Sequence, residues 1–396
     1  MFDSIVIGGG IAGLYAAMKL CARGDRVIVL ERDDEFGGRA KTDEFCGVRV
    51  ATGAGIGRKD KDWRLQSLLD TLRVPATAFP VRHAVSAPLG PCSAADRFRV
   101  LQAEYASRDD ARTDMVTFRD FGQQVLGNQA YAQLVQCSGF SDFEDAAVRD
   151  VLYDYGFDDN VTDWTGLSIP WNQVIEAMCK VLDDCGKCLL CVGCPVDHLT
   201  VGKDVEVRTE DGGVIRGRRV FIATEISTVQ MLLRKEPMYK CIHGQPFFRL
   251  YASFSGASAK VMGSAVQGVT IVGSPLQKMI PMSDTVYMVA YCDNEDALFM
   301  RHVVMTTPKS SIRYTIARFI EQSLGLRRKC VRVDALHDIF FEWGTHFNAP
   351  ALYNEYKHKL DVLQHPVPRV YVVGEAVSTH QGWVEGALES VDAVLG

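Results

Sequence analysis

The chain has 396 residues, 47% of them hydrophobic and 23% charged, with a formal net charge of −6 at pH 7. That length and balance exclude a disordered or collagen-like chain and a disulfide-stapled miniprotein, and they predict roughly two domains with a large buried core. The negative balance also speaks against a nucleic-acid binder or a polybasic membrane-surface protein, since both need a dense positive face; small molecules remain as the expected partner.

The opening MFDSIVIGGGIAG has no basic residue ahead of its apolar run and carries Asp3, so it reads as a strand entering a glycine turn, not as a signal peptide. Residues 4–7 form a short apolar strand, 11–23 have helical apolar spacing ending at Gly24, and 26–30 are again an apolar strand. This is a βαβ start with parallel pairing. Helical patterns come next at 118–132 and 173–182, a strand-rich section at 189–224 ends in VFIATE, and RLYASFSG and TVYMVAY alternate as strands do. Residues 309–324 read as a helix, RVYVVGEA as a buried strand and WVEGALESVDAVL as a closing helix. The expected fold class is therefore α/β: a Rossmann-like nucleotide-binding domain assembled from 1–78, 189–245 and 366–396, with an inserted α+β substrate domain from 79–188 and 246–365. No uncharged apolar stretch approaches the ~20 residues of a bilayer span, so the expectation is a soluble, cytoplasmic protein, monomeric or homodimeric.

Gly8, Gly10 and Gly13 satisfy G-x-G-x-x-G between that first strand and helix. The first glycine allows the tight turn and the second lets a pyrophosphate approach the backbone. The third permits close helix–strand packing, with the helix N-terminus at Ile11 and Ala12 facing negative charge. Glu31 ends the next strand, where its carboxylate can accept from ribose hydroxyls and disfavours a 2′-phosphate. Together these predict dinucleotide binding.

Twelve cysteines are scattered through the chain without secretory context, so reduced thiols are expected. Cys185, Cys188, Cys191 and Cys194 repeat every third residue ahead of Pro195. Two-residue gaps suit iron–sulfur or zinc ligation. Against that, LLCVGCPVDHL reads as a short buried strand, in which a period of three sends successive thiols to opposite faces. Four such thiols cannot converge on one ion, and no metal is expected.

The residues after Glu31 separate NAD from FAD. The run ERDDEFGGRAKT, with Arg32, Gly37, Gly38 and Arg39, resembles the second glycine signature of the flavin-dependent amine oxidase superfamily. Gly53, Ala54 and Gly55 look like that family's glycine segment beside the flavin ring, and CPVDHL like the strand whose backbone, here at Val196, would hold the adenine side. RVYVVGEAVSTHQGWVEGALES is similar to its closing motif, with Gly374 and Glu375 after the strand and Gly382, Trp383, Val384, Glu385, Gly386 and Ala387 opening the last helix. The resemblance implies the two-domain amine-oxidase architecture and an FAD cofactor. Between Asn348 and Gly396 there is no cysteine, so FAD is expected to be non-covalent. A helix start near Trp383 also makes physical sense there, because its unpaired N–H groups would stabilise negative charge on a reduced flavin.

The resemblance further implies an aromatic slot on the substrate face of the flavin. Trp383 would form one wall, and the other would come from EWGTHFNAPAL, with Phe347 first and Trp343 second. The expected reaction is hydride transfer from an amine-bearing carbon to flavin N5, imine hydrolysis, and reoxidation by oxygen to hydrogen peroxide. His346 and His380 lie near the two motifs as acid–base candidates. Family oxidases commonly place a lysine in the strand corresponding to RLYASF, where this chain has Arg249. Arginine keeps the charge but does not readily give up a proton, which bears on the reaction with oxygen and suits the anchoring of an acidic group. The substrate expected first is a small amine or polyamine. Alternatives are L-amino-acid oxidation with Arg249 holding the carboxylate, a desaturase-like reaction, or a flavin-bound protein serving binding or regulation.

Overall fold

Apolar strands that alternate with helices build a parallel sheet at the N-terminus. The computed structural model describes residues 1–108, 116–347 and 360–396, with the side chains of 243 and 342–347 outside that description. Strand β1 (Phe2–Ile7) lies parallel between β2 (Val27–Leu30) and β12 (Val214–Ile222). Beyond β2 the sheet is extended by parallel β9 (Cys188–Cys191), and β18 (Val370–Val372) runs parallel to the end of β12. The other half of β12 carries an antiparallel arm of β10 (Val196–Val201) and β11 (Val205–Thr209).

The central strands are uniformly apolar because both of their faces are covered, as parallel sheets require. Val6, Val27 and Val29 face the helices Ile11–Ala22, Trp171–Asp184 and Val384–Leu395, whereas Ile5, Ile7, Ile28 and Leu30 face the helix Ile226–Leu232 and the segment around Tyr239. The last helix packs directly on the first, so the two ends of the chain share one core.

A second sheet runs in the order β17 (Ala335–Phe347), β13 (Ile242–Ser253), β16 (Val286–Asp293), β15 (Gln277–Pro281), β14 (Val269–Gly273) and β7 (His83–Val85). Along β13 the period of two puts Phe248, Leu250 and Ala252 under the helices Gly256–Ala265, Asn294–Thr306 and Ile312–Ser323. Tyr251 faces the other way, against the hairpin of β3 (Thr42–Phe45) and β4 (Val48–Ala51). A small sheet of β5 (Gly57–Arg58), β8 (Trp164–Ser168) and β6 (Thr77–Val81) lies between the glycine segment and a helical cluster that spans 94–153.

Several expectations need correction. The pattern at 118–132 is two helices, Phe118–Leu126 and Asn128–Ser138, because Gly127 adopts φ of 78° and breaks the run. LLCVGCPVDHL is not one buried strand: β9 ends at Cys191, residues 192–195 turn, and β10 begins at Val196, with β9 a half-exposed edge. The helix Trp171–Asp184, within the range assigned to the inserted domain, packs on the first helix of the nucleotide-binding sheet. Not every thiol is reduced, since helix packing joins Cys92 to Cys137, 45 residues apart. Among the described residues no group of three or more His, Cys, Asp or Glu could hold a metal, and no helix is long and apolar enough to cross a membrane.

Candidate functional site

The glycine turn after β1 is constrained from behind and open in front. Gly8 has φ of +103°, and a Cβ there would sit 2.4 Å from the carbonyl oxygen of Ala223; a Cβ on Gly13 would sit 2.0 Å from that of Gly8. Both positions therefore demand glycine. At Gly10 a Cβ would meet nothing nearer than the Gly37 oxygen at 3.9 Å. Gly10 is also the N-cap of the first helix, no side chain caps it, and the first turn carries no acid. The N–H groups at Ile11, Ala12 and Gly13 thus open the helix with unneutralised positive charge, which suits a phosphate.

Glu31 stands at the end of β2, 8% exposed, accepting hydrogen bonds from the backbone N–H of Gly9 (2.7 Å) and Asp33 (2.9 Å). Its carboxylate is thereby fixed beside the glycine turn. The next turn closes on the same place: the Gly37 N–H donates to the Gly9 oxygen at 2.9 Å, and a Cβ on Gly38 would lie 3.3 Å from the Gly10 Cα. Val196 begins β10 just after Cys194, whose N–H donates to the Glu31 carbonyl at 2.8 Å. Arg32 does not join this group; it faces solvent and pairs with Glu225 and Asp33.

Glu375 ties the two ends of the chain together. Its Oε1 lies 2.8 Å from Nη1 of Arg39, and its Oε2 accepts from the Gly382 N–H at 3.1 Å. The Gly374 N–H is held by Ser390 Oγ of the last helix, and space opens in front of Gly374, where a Cβ would meet no heavy atom within 4 Å. The Ala54 N–H donates to the Arg39 carbonyl at 2.7 Å, which seats Gly53, Ala54 and Gly55 on the same turn. Trp171 Nε1 donates to the Gly55 oxygen from beneath. In the last helix Ala387 is buried in the shared core and Val384 packs against it.

Trp383 is the N-cap of the last helix, which begins at Val384. One face of its indole is covered by the Arg58 guanidinium, 3.9 Å from the ring centroid, and the Trp164 ring meets it edge-on at 6.4 Å. Arg58 is itself buried and held by Asp62 and Asp159. Such a stack orients the indole and adds cation–π attraction. The sequence offered no signal for Arg58, because it meets Asp159 and Trp383 from distant parts of the chain. Glu385 stood in the closing motif, but its contact was not legible there: its buried carboxylate accepts the N–H groups of Arg64 and Leu65 and caps the helix Trp63–Leu72.

Arg249 lies on β13, 1% exposed. Its Nη1 donates to the Ala51 carbonyl (3.0 Å) and its Nη2 to the Tyr291 hydroxyl (3.1 Å), while Nε has no partner. A Cβ on Gly55 would come within 3.6 Å of Nη2, so Arg249 borders the glycine segment. Among the described residues its partners are a carbonyl and tyrosine hydroxyls, with no carboxylate paired to it. Phe347 and Trp343 lie on β17, opposite Ile242 and Gln245 of β13, but their side chains, like that of His346, lie outside the described residues. His380 binds Glu389 at 2.6 Å.

Beyond Arg249 the same sheet buries a second charged cluster. Lys278 Nζ sits 3.2 Å from the Phe140 ring centroid, and Phe140 packs edge-on against Tyr291 at 5.2 Å. Burial pushes the Lys278 ammonium down to about 7 despite Asp142 and Asp293 nearby, and burial together with Asp142 pushes Asp293 up to about 7.

Comparison with known proteins agrees with this geometry. A family model described as flavin-containing amine oxidoreductase matches residues 11–391. Among curated proteins, the (S)-6-hydroxynicotine oxidase of Paenarthrobacter nicotinovorans is 34% identical over 107 residues, which is 26% of this chain and 25% of that protein. Polyamine oxidase 1 of Oryza sativa subsp. japonica is 55% identical over 53 residues, 13% of this chain and 10% of that protein. These matches thus span about a quarter or less of the relatives' lengths. Two solved structures share the whole fold at low identity: cyclohexylamine oxidase from Brevibacterium oxydans IH-35A (TM-score 0.77, 15% identity) and wild-type putrescine oxidase bound to putrescine (TM-score 0.73, 16%). Each comparison covers 100% of this chain and 98% of the other. With its glycine turn, Arg39 turn and closing helix meeting in one site, the chain belongs to the flavin-containing amine oxidoreductase family, an enzyme family whose cofactor is FAD.

Proposed function

We propose that the chain is an FAD-dependent oxidoreductase that oxidises a small amine or polyamine, with oxygen as the acceptor. The observation that carries this reading is Glu375, which bridges Arg39 and Gly382 and so brings the two flavin motifs to one place. The residues present fit the cofactor: open space at Gly10 and Gly374 lies beside an uncapped helix start and a fixed, buried carboxylate. In this reading the N–H groups of Ile11, Ala12 and Gly13 hold the pyrophosphate, Glu31 accepts from the ribose, and Val196 borders the adenine side. Bound FAD supplies the acceptor for the substrate hydride. Trp383, one face of its indole stacked on Arg58, orients an uncharged amine and excludes water. The names of the similar proteins, which include a polyamine oxidase, a putrescine oxidase and a cyclohexylamine oxidase, support an amine substrate. The domain division stands as a proposal in the same terms, with the helix Trp171–Asp184 moved to the FAD-binding unit. Anaerobic addition of polyamines, monoamines and amino acids to the purified holoprotein tests the reading: the flavin band bleaches with at least one of them, and failure across all three classes rejects it.

Arg249 favours a second reading. A buried guanidinium with an unpartnered Nε and no carboxylate of its own is suited to a substrate that carries one. Under that reading amino acids bleach the flavin faster than the matching amines, and Arg249→Met abolishes the preference.

A further inference from the structure

The cysteine run that the flavin site leaves unused divides across the sheet. Cys188 packs on the side of the first helix, as Cys21 does, while Cys191 and Cys194 pack on the opposite side. Cys191 and Cys194 flank a C-V-G-C turn in which Gly193 takes φ of 64° and the Cys194 thiol donates to the Val192 carbonyl at 3.3 Å, so both side chains lie at one turn on one side of the sheet. That turn is fastened to the ribose-side carboxylate residue. The Glu31 N–H donates to the Cys191 carbonyl, the Cys194 N–H donates to the Glu31 carbonyl, and the Gly193 N–H donates to that of Asp33, each at 2.8 Å. Both cysteines are half-buried at the sheet edge, within reach of a small solute, whereas Cys21 is buried under its helix.

We propose that Cys191 and Cys194 form an oxidisable dithiol, a modification site for hydroperoxides built onto the main chain of Glu31. Burial pushes the Cys191 thiol up, which suits it to act second. The sulfur of Cys194 attacks one peroxide oxygen: an S–O bond forms, the O–O bond breaks, and the departing hydroxide takes a proton to leave as water. The Cys191 sulfur then attacks the Cys194 sulfenic acid; the S–S bond forms, the S–O bond breaks, and a second water leaves with the Cys191 proton. Two thiols have lost two electrons and one peroxide has gained them. Because the two thiols share one short turn, the second step is intramolecular and outruns further oxidation of Cys194.

Only the natural source of the peroxide rests on the amine-oxidase reading, and the test supplies peroxide directly. Reduced holoprotein is treated with hydrogen peroxide, quenched with an alkylating reagent and cleaved after lysine. In the peptide 188–203, Cys191 and Cys194 are expected to lose alkylation together about tenfold faster than the exposed, isolated Cys46, with Cys188 still labelled. Cys191→Ser is expected to stop at a Cys194 sulfenic acid that a cyclic dione captures, and Cys194→Ser to leave Cys191 reduced. Equal loss at Cys46, or a link between Cys21 and Cys188 in place of this one, overturns the proposal. Neither result depends on whether any amine bleaches the flavin.

Discussion

Replacing Glu375 by Gln keeps the side chain's shape and removes the charge that holds Arg39. Two hydrogen bonds are affected, one from the Arg39 guanidinium at 2.8 Å and one from the Gly382 N–H at 3.1 Å. Glu375 is 7% exposed, but the Arg39 side chain is 37% exposed, so solvent screens part of the attraction. A charge-assisted bond contributes about 1.5–3 kcal/mol when buried, and screening leaves roughly 2 kcal/mol for the change as a whole. Because Glu375 holds both flavin motifs in place, that loss falls on cofactor binding and weakens FAD affinity about thirtyfold. Titration of the apoprotein with FAD, followed by flavin fluorescence, measures it in the wild type, Glu375→Gln, Arg39→Met and the double variant. The cycle should return a coupling of about 1 kcal/mol between the two side chains. An affinity for Glu375→Gln within about twofold of wild type refutes the idea that this pair assembles the site.

Trp383→Ala should keep the flavin bound yet slow its reduction by a true substrate at least about tenfold, or ~1.4 kcal/mol of barrier; unchanged stopped-flow rates would remove Trp383 from the reaction. Gly13→Ala forces a Cβ to within 2.0 Å of the Gly8 oxygen, against backbone that cannot yield, so expression should give colourless or insoluble protein, checked by flavin absorbance per chain. Lys278 has a folded-state value depressed from 10.5 to about 7, so its contribution to stability is present above 10.5 and lost as pH falls to about 7. The melting temperature of the wild type minus that of Lys278→Met should therefore climb between about pH 7 and 10, and a flat difference counts against a buried, titrating Lys278.

Those parts of the molecule governed by short-range geometry could be read in advance. Gly8, Gly10 and Gly13 announce a backbone that only glycine can follow, and the strand and helix around them confirm the setting. Gly127 shows the limit of the same reasoning: its φ of 78° cuts one helical pattern into two, yet the apolar spacing continues across it. Opposite placement of Cys188 and Cys191 followed from the strand's period of two, whereas the edge position of β9 did not, because edge or centre is decided by which strands pair. Arg58 on Trp383, Glu385 on the helix Trp63–Leu72 and Lys278 beside Phe140 join segments far apart in the chain, and no local pattern in the sequence records such meetings.

The bridge from Arg39 to Glu375 spans 336 positions. A nascent chain leaving the ribosome therefore makes one half of its cofactor cleft 336 positions before the other. Until the closing helix docks, the glycine turn faces water without its partner, and the folding step that joins them is a long loop closure that has to be completed before prosthetic group and polypeptide can remain together. A chain stopped short of residue 375 is therefore expected to be released without colour.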